Sequence, residues 1–267
     1  MAGIRHLALD MDGTIYLGDH LLQESLPFLS RMKELEIGYT FLTNNSSKSS
    51  AEYEEHLARL GISADRESIF TSAHALIEIL TRYSPESLFV VGTEGLRQEL
   101  RDAGFDVLAS DSDLQPGAVI VGFDPQLDFP TLCKAAWWIK NGLPYFATHP
   151  DLICPTNEKT VLLDCGALCV ALEAAVGRKP DAVAGKPEPQ MLHSLCVRLG
   201  IKSDEVAMVG DRLYTDVLMA VRAGAFGILT LTGETQRSHL AASKIQPDLV
   251  VENLAELGEL LTVSKNF

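Results

Sequence analysis

Residues Leu7-Ala8-Leu9-Asp10-Met11-Asp12-Gly13-Thr14 contain a short apolar run that ends in two aspartates one residue apart. The apolar run is typical of a buried strand. Residues i and i+2 of a strand point the same way, so Asp10 and Asp12 are expected to face one spot. Two such carboxylates repel each other unless a cation or a shared proton intervenes. The stretch therefore indicates a functional carboxylate pair, although a strand-to-loop turn with no further role has the same pattern.

Composition limits the function classes. With 267 residues the chain suits one large domain or two smaller ones, and its net charge of −14 argues against nucleic acid or an anionic membrane as a main partner. The five cysteines are odd in number and include no C-x-x-C pair, which favours free thiols. The N-terminus lacks a signal-like pattern, and the apolar runs are too short to span a bilayer. We therefore expect a soluble cytoplasmic protein.

Strand-like and helix-like segments alternate along the chain. This alternation predicts an α/β fold in which crossover helices join parallel strands, as in Rossmann-like sheets. Breaks that contain Pro or Gly lie near 82–86 and 177–181. They predict a discontinuous core of residues 1–81 and 181–267, with a smaller α/β domain inserted at 82–180.

Polar residues follow four of the predicted core strands, and ligands of open α/β sheets bind outside the carboxyl ends of the strands. The strand ends carry Asp10 and Asp12; Thr43, Asn44 and Asn45; Lys186, after a strand ending at Ala184; and Asp211, with Asp216 five residues on. A carboxylate nucleophile, a second acid, a lysine for phosphate oxygens and carboxylates for a hard cation are the parts that phosphoryl transfer needs. Mg²⁺ usually takes one or two carboxylates, which Asp10 and Asp211 would supply.

These segments resemble the four motifs of the haloacid dehalogenase superfamily of Mg-dependent phosphatases. The motifs are Asp10-Met11-Asp12-Gly13-Thr14, Thr43-Asn44-Asn45, Gly185-Lys186-Pro187 and Gly210-Asp211-Arg212-Leu213-Tyr214-Thr215-Asp216. The longer matches at 10–18 and 41–47 are similar to the NagD-like, p-nitrophenyl-phosphatase-type subfamily. The resemblance spans essentially the whole chain.

The resemblance implies a role for each residue that matches the motifs. Asp10 would attack phosphorus and form an aspartyl-phosphate. Asp12 would protonate the leaving oxygen, activate the hydrolytic water, and ligate Mg²⁺ through its backbone carbonyl. Lys186 would bridge the phosphate and the nucleophile.

The remaining motif residues would hold phosphate and metal. The Thr43 hydroxyl and the Asn44 amide would bind phosphate oxygens, while Asp211 would ligate Mg²⁺ together with Asp10. Asp216 and Asn45 would lie one layer further out, with Asp216 bonded to a metal-bound water or to Lys186.

The inserted segment resembles the type II cap of NagD-like enzymes, which would cover the site and contact the leaving group. Its loop His149-Pro150-Asp151 is the predicted substrate contact, with His149 and Asp151 as candidate specificity residues, although a polar loop without such contact fits the same residues. Relatives more often have Asn or Asp where His149 stands. Exposed aromatic residues favour interfaces, so Trp137-Trp138 in a predicted cap helix is compatible with a homodimer through the cap.

The expected substrate is a small phosphorylated metabolite, such as a sugar phosphate. Three alternatives remain at this point. The dehalogenase chemistry that named the superfamily needs neither Asp12 nor a metal, so the acids and Lys186 argue against it. A phosphotransferase would pass the aspartyl-phosphate to another acceptor, and a phospho-ligand sensor would keep the fold without turnover.

Overall fold

The structure is a computed structural model and describes residues 3–154 and 159–265. Its strands are β1 His6–Asp10, β2 Tyr16–Leu17, β3 His20–Leu21, β4 Gly38–Thr43, β5 Ile69–Thr71, β6 Leu88–Val91, β7 Ala118–Val121, β8 Tyr145–Ala147, β9 Ile153–Cys154, β10 Leu162–Leu163, β11 Ala182–Val183, β12 Val206–Gly210, β13 Phe226–Thr230 and β14 Leu249–Val251. Its helices are α1 Ser25–Glu34, α2 Ser50–Arg59, α3 Ser72–Tyr83, α4 Glu94–Asp102, α5 Phe129–Lys140, α6 Cys165–Val176, α7 Gln190–Leu199, α8 Leu218–Ala223, α9 Arg237–Ala242 and α10 Leu254–Lys265. A π-helical turn, Leu213–Val217, precedes α8.

The larger sheet has the strand order β14-β13-β12-β1-β4-β5 among the described residues. Strand β1 pairs in parallel with β12 on one side and with β4 on the other, and β12, β13 and β14 continue in parallel. All five residues of β1 are buried, as expected for a central strand covered on both faces. The predicted α/β fold with a parallel core sheet is confirmed.

A second sheet has the order β11-β8-β7-β6, and its strands are also parallel. Helices α5 and α6 pack on it through a buried cluster that includes Phe89, Val121, Ala135, Tyr145 and Leu172. Aspartate side chains begin these two helices. Asp128 accepts the N–H of Thr131 at 2.7 Å, and Asp164 accepts the N–H of Cys165 at 2.6 Å.

The contacts divide the chain into two compact units. The first unit comprises Met1–Thr43, Glu54–Phe70 and Lys186–Phe267, and the second comprises Asn44–Tyr53 and Thr71–Gly185. Segments 44–53 and 71–81, which the sequence analysis assigned to the core, thus group with the second unit. The predicted division at 82 and 181 stays a prediction about domains.

One predicted strand belongs to a different sheet. The strand before Lys186 was expected in the core, but Ala182 and Val183 pair with Phe146 and Ala147 in the second sheet, so that prediction is wrong. A two-residue apolar strand has no periodicity that would reveal its neighbours.

Trp137 on α5 is 59% exposed, and the homodimer through the cap stays a prediction. Within the described residues, the helices all lack the length and apolar composition needed to cross a membrane.

His6 shows how closely the sheet is packed. Its Nε2 lies 2.9 Å from the Thr40 hydroxyl oxygen, and a Cβ at Gly38 would lie 2.6 Å from its Nδ1. Burial, with a smaller contribution from Arg198, lowers the pKa of His6 to about 4. Between this pKa and the ordinary value of 6.5, His6 therefore binds more protons in the unfolded chain than in the folded chain.

We predict that acid weakens the fold through His6. The contribution of His6 to the free energy of unfolding should fall by on the order of 3 kcal/mol as the pH drops from 6.5 toward 4, because the buried imidazole must stay neutral. Urea unfolding at several pH values would measure this. His6→Gln should remove that part of the dependence, whereas the exposed control His193→Gln should keep it. Equal slopes for wild type and His6→Gln would contradict the assignment.

Candidate active site

Asp10 ends β1 at the carboxyl edge of the larger sheet. In the strand register, Leu9 pairs with Val209 of β12, and Asp10 pairs with Leu42 of β4. The chain extends the sheet from β1 toward β5 on one side and later adds β12, β13 and β14 on the other. Such a change of direction opens a crevice outside the strand ends, where open α/β sheets bind ligands. Asp10 therefore occupies the expected ligand-binding position of this sheet.

Lys186 is the cationic group of this site. Its Nζ forms a hydrogen-bonded ion pair with Asp10 Oδ1 and donates to Asp216 Oδ1 at 2.7 Å. One carboxylate oxygen from each of Asp10, Asp211 and Asp216 lies within 4.8 Å of the other two. All four side chains are buried. The structure thus brings four sequence-predicted site residues together in the first unit.

The pKa values of the cluster reflect its burial and its excess of acids over bases. Burial raises the pKa of Asp10 to about 8; the charges of Asp216 and Asp211 act in the same direction, and Lys186 opposes them. Burial and then Asp216 raise the pKa of Asp211 to about 7. Burial lowers the pKa of Lys186, but Asp10 and Asp216 raise it by more. A further cation would favour the ionised carboxylates.

The surroundings of Asp211 suit such a cation. Its Oδ2 accepts the N–H of Glu234 at 2.6 Å, while its buried Oδ1 has no hydrogen-bond partner within residues 3–154 and 159–265. A Cβ at Gly13 would lie 2.6 Å from Asp211 Oδ2, and one at Gly233 would lie 2.6 Å from Asp211 Cγ. At both glycines the absence of a side chain lets the backbone approach the Asp211 carboxylate, whose Oδ1 has no hydrogen-bond partner among the described residues. Mg²⁺ takes oxygen ligands of this kind.

Asp12 lies in the tight turn after β1. The N–H of Gly13, whose φ is +85°, donates to the Tyr16 carbonyl at 2.7 Å, and the Thr14 hydroxyl donates to Asp10 Oδ2 at 3.4 Å. The close carboxylate cluster around Asp10 is formed by acids from later in the chain, namely Asp211 and Asp216. A role for Asp12 in proton transfer stays a prediction.

The predicted phosphate-binding residues follow β4. Thr43 is buried at the end of that strand. The side-chain amide of Asn44 donates to Asp151 Oδ2 at 3.1 Å, and Asn45 Oδ1 accepts the N–H of Ser47 at 2.9 Å. The binding of phosphate by Thr43 and Asn44, with Asn45 one layer further out, stays a prediction.

His149 is fully buried in the second unit. Its Nε2 lies 2.8 Å from Asp164 Oδ1, and its Nδ1 lies 2.8 Å from Thr148 Oγ1. Burial lowers its pKa, but the hydrogen bond with Asp164 and nearby negative charges raise it by more, to about 9. Both ring nitrogens are thus engaged by protein groups. Substrate contact by His149 or Asp151 stays a prediction.

Sequence reasoning missed several of these partners. Asp164 is a residue type that favours the N-cap position it has before α6, but its bond to His149 has no local sequence signal. The backbone N–H of Glu234 and the neighbouring Gly233 come from a loop without a motif. Thr14 stands inside the first motif and was given no role.

Comparisons with known proteins agree with this geometry. The profile of the haloacid dehalogenase-like hydrolase family matches residues 7–106, and a HAD-hydrolase-like profile matches residues 183–257. The 5'-nucleotidase YutF of Bacillus subtilis is 30% identical over 249 residues, which cover 93% of this chain and 95% of that protein. The ribonucleotide monophosphatase NagD of Escherichia coli (strain K12) is 30% identical over 254 residues, which cover 95% and 98%.

Solved structures are similar over nearly the whole chain. A 4-nitrophenylphosphatase from Thermotoga maritima has a TM-score of 0.90 and 39% identity, covering 97% of each chain. A glycerol phosphate phosphatase from Mycobacterium tuberculosis, solved in complex with magnesium, has a TM-score of 0.87 and 30% identity, covering 97% of this chain and 78% of that one.

We predict that Gly233→Ala weakens binding of a divalent cation. The added methyl group would collide with Asp211, so the dissociation constant for Mn²⁺, measured by paramagnetic resonance titration, should rise about tenfold or more, or about 1.4 kcal/mol. Gly258→Ala is the matched control, because its Cβ would meet the nearest atom at an ordinary 3.4 Å. Equal Mn²⁺ affinities for the two variants would show that Asp211 does not hold the ion.

Proposed function

The chain belongs to the haloacid dehalogenase-like hydrolases and is a phosphatase of the NagD and p-nitrophenylphosphatase type, and we propose that it hydrolyses phosphate monoesters of small metabolites with Mg²⁺ through an aspartyl-phosphate intermediate. The observation that carries the proposal is the buried Lys186, paired with Asp10 and Asp216 beside Asp211. This cluster combines a nucleophile, a phosphate-binding cation and carboxylate oxygens for a metal.

In the proposed reaction, a carboxylate oxygen of Asp10 forms a bond to phosphorus while the bond to the leaving oxygen breaks. Asp12 gives its proton to that oxygen, and the alcohol departs. Asp12 then takes a proton from water as the water attacks phosphorus, which releases phosphate and restores the Asp10 carboxylate.

Lys186 supports this sequence in two ways. Its ammonium group favours the ionised form of Asp10, which is the nucleophilic form. The same group would hold a phosphate oxygen and stabilise the negative charge of the transition state. Asp216, whose Oδ2 also accepts the N–H of Arg212 at 3.1 Å, orients Lys186.

The cluster also fits Mg²⁺. The buried Asp211 Oδ1, the excess of acids over Lys186 and the space left by Gly13 and Gly233 suit a hard cation. Asp10, the Asp12 carbonyl and Asp211 would hold it. When bound, the ion would polarise the phosphoryl group and offset its negative charge. The magnesium complex of the mycobacterial relative supports this cofactor.

Thr43 and Asn44 are the proposed phosphate-binding groups, with Asn45 supporting them. Similar proteins are named for nucleotide, glycerol phosphate and nitrophenyl phosphate substrates, so the leaving group differs among proteins of similar sequence. We assign leaving-group contact to the proposed cap, residues 82–180, with Asp151 as the candidate. The five cysteines form no disulfide within the described residues, which supports a reducing, cytoplasmic location.

We predict that phosphate release from a panel of phosphomonoesters needs both Asp10 and the metal. Asp10→Asn should lower turnover by more than about 10³-fold, because the neutral amide cannot act as the nucleophile, and EDTA should abolish wild-type activity. Asp113→Asn, at a fully exposed carboxylate, is the matched control and should keep wild-type rates. The ranking of esters would indicate the preferred leaving group.

Wild-type turnover in purified Asp10→Asn would exclude Asp10 as nucleophile. Release that persists in EDTA would exclude the metal-dependent reaction. If phosphate binds but no ester is cleaved, a sensor or a phosphotransferase that requires another acceptor would replace the proposed hydrolase.

A further inference from the structure

A polar network in the second unit connects the start of α6 to residues 44–46. At one end the Asp164 carboxylate accepts from Cys165 and is bonded to His149. At the other end Asn44 and Ser46 are bonded to the turn that follows β8. The roles proposed above use Asn44 but give Asp164 none.

Backbone hydrogen bonds hold the far end of this turn against α6. The N–H of Gly166 donates to the Asp151 carbonyl at 2.8 Å, and the N–H of Asp164 donates to the Leu152 carbonyl at 3.0 Å. A Cβ at Gly166 would collide with the carbonyl of Pro150. The turn therefore packs directly on the first residues of α6.

The near end of the turn is held by the buried His149 ring, which joins Asp164 to Thr148. The space around it is also restricted, because a Cβ at Gly185 would lie 2.8 Å from His149 Cβ and 2.5 Å from Asn44 Oδ1. This close packing around His149 restricts movement of the turn 148–151. Both ring nitrogens are hydrogen-bonded within the second unit, so the ring holds Thr148 and Asp164 in place.

Two side chains carry this restraint to residues 44–46. Asp151 Oδ2 accepts the side-chain amide of Asn44 at 3.1 Å, and Thr148 Oγ1 accepts the Ser46 hydroxyl at 3.1 Å. A carboxylate acceptor determines which way the Asn44 amide faces, since only its nitrogen can donate.

We propose that Asp164 and His149 are positioning residues for the phosphate-binding residues 44–46: the buried pair fixes the turn 148–151, which orients Asn44 through Asp151. This inference rests on the proposed function, in which Asn44 binds phosphate. The pair acts through Asp151 on Asn44. Small displacements of binding groups are costly, because a shift of about 1 Å can cost about 10²-fold in rate.

The test distinguishes the loss of the hydrogen bond to His149 from the loss of the N-cap of α6. In Asp164→Ser the hydroxyl can still cap α6 but is one bond too short for His149, whereas Asp164→Asn keeps an oxygen acceptor for both partners. We expect Asp164→Ser to raise the dissociation constant of inorganic phosphate and lower kcat/KM, each by about tenfold or more. Asp164→Asn should restore both values to within about threefold of wild type.

Asp128→Ser is the matched control, because Asp128 is also an aspartate N-cap in the second unit and has no part in the network. It should lower Tm less than Asp164→Ser, which also breaks the buried bond to His149, and it should resemble wild type in phosphate binding and kcat/KM. If Asp164→Ser behaves like Asp128→Ser in all three measurements, Asp164 is only a helix cap and the proposal is wrong.

A second readout does not depend on turnover. The side-chain amide resonances of Asn44, assigned with Asn44→Gln, should shift in Asp164→Ser and stay in place in Asp164→Asn and Asp128→Ser. If the wild type neither binds nor hydrolyses phosphate esters, the proposed function fails, and these resonances alone decide the positioning role. Unchanged Asn44 resonances in Asp164→Ser would overturn it.

Discussion

The ionic balance around the buried Lys186 is the constraint on which the site depends. One ammonium group faces the carboxylates of Asp10 and Asp216, with Asp211 nearby, and all of them are buried. Removing one member of such a buried group leaves an uncompensated charge, which costs about 3–5 kcal/mol. An arrangement that remains short of positive charge is suited to attract a metal ion and a phosphate together.

The backbone around the cluster is built to bring these acids close. Asp216 lies in the π-helical turn Leu213–Val217, and a Cβ at Gly210 would lie 2.5 Å from Asp216 Cβ. Gly13 and Gly233 have the same relation to Asp211. Small residues next to the acids thus allow three carboxylates to share a volume that side chains would otherwise fill.

The sequence predicted the part of this site that depends on parallel strands. Asp10 and Thr43 end β1 and β4, Asp211 follows β12, and neighbouring parallel strands bring their carboxyl ends to one edge. Lys186 was predicted as a site residue and lies beside Asp10 and Asp216, but its strand was assigned to the wrong sheet, because two apolar residues do not reveal their pairing partners. The bond between His149 and Asp164 was not predicted, since it joins positions fifteen residues apart and depends on how the intervening chain folds back.

We propose that the second unit determines which phosphate ester is bound, while the acid cluster of the first unit determines the reaction. The acids, Lys186 and Thr43 belong to the first unit, whereas Asn44, His149 and Asp151 belong to the second. Polar bonds within the second unit tie Asn44 to a turn whose residues no motif constrains. In the proposed function, changes at that turn would alter how Asn44 holds phosphate, while the acids around Asp10 stay the same.

The central claim is that Asp10 takes the phosphoryl group before water does. The most direct measurement is the stereochemical course at phosphorus, using a phosphate monoester made chiral with sulfur and oxygen isotopes and hydrolysed in labelled water. Two successive in-line displacements, on Asp10 and then on water, predict retention of configuration. Inversion would mean a single attack by water and would contradict the account.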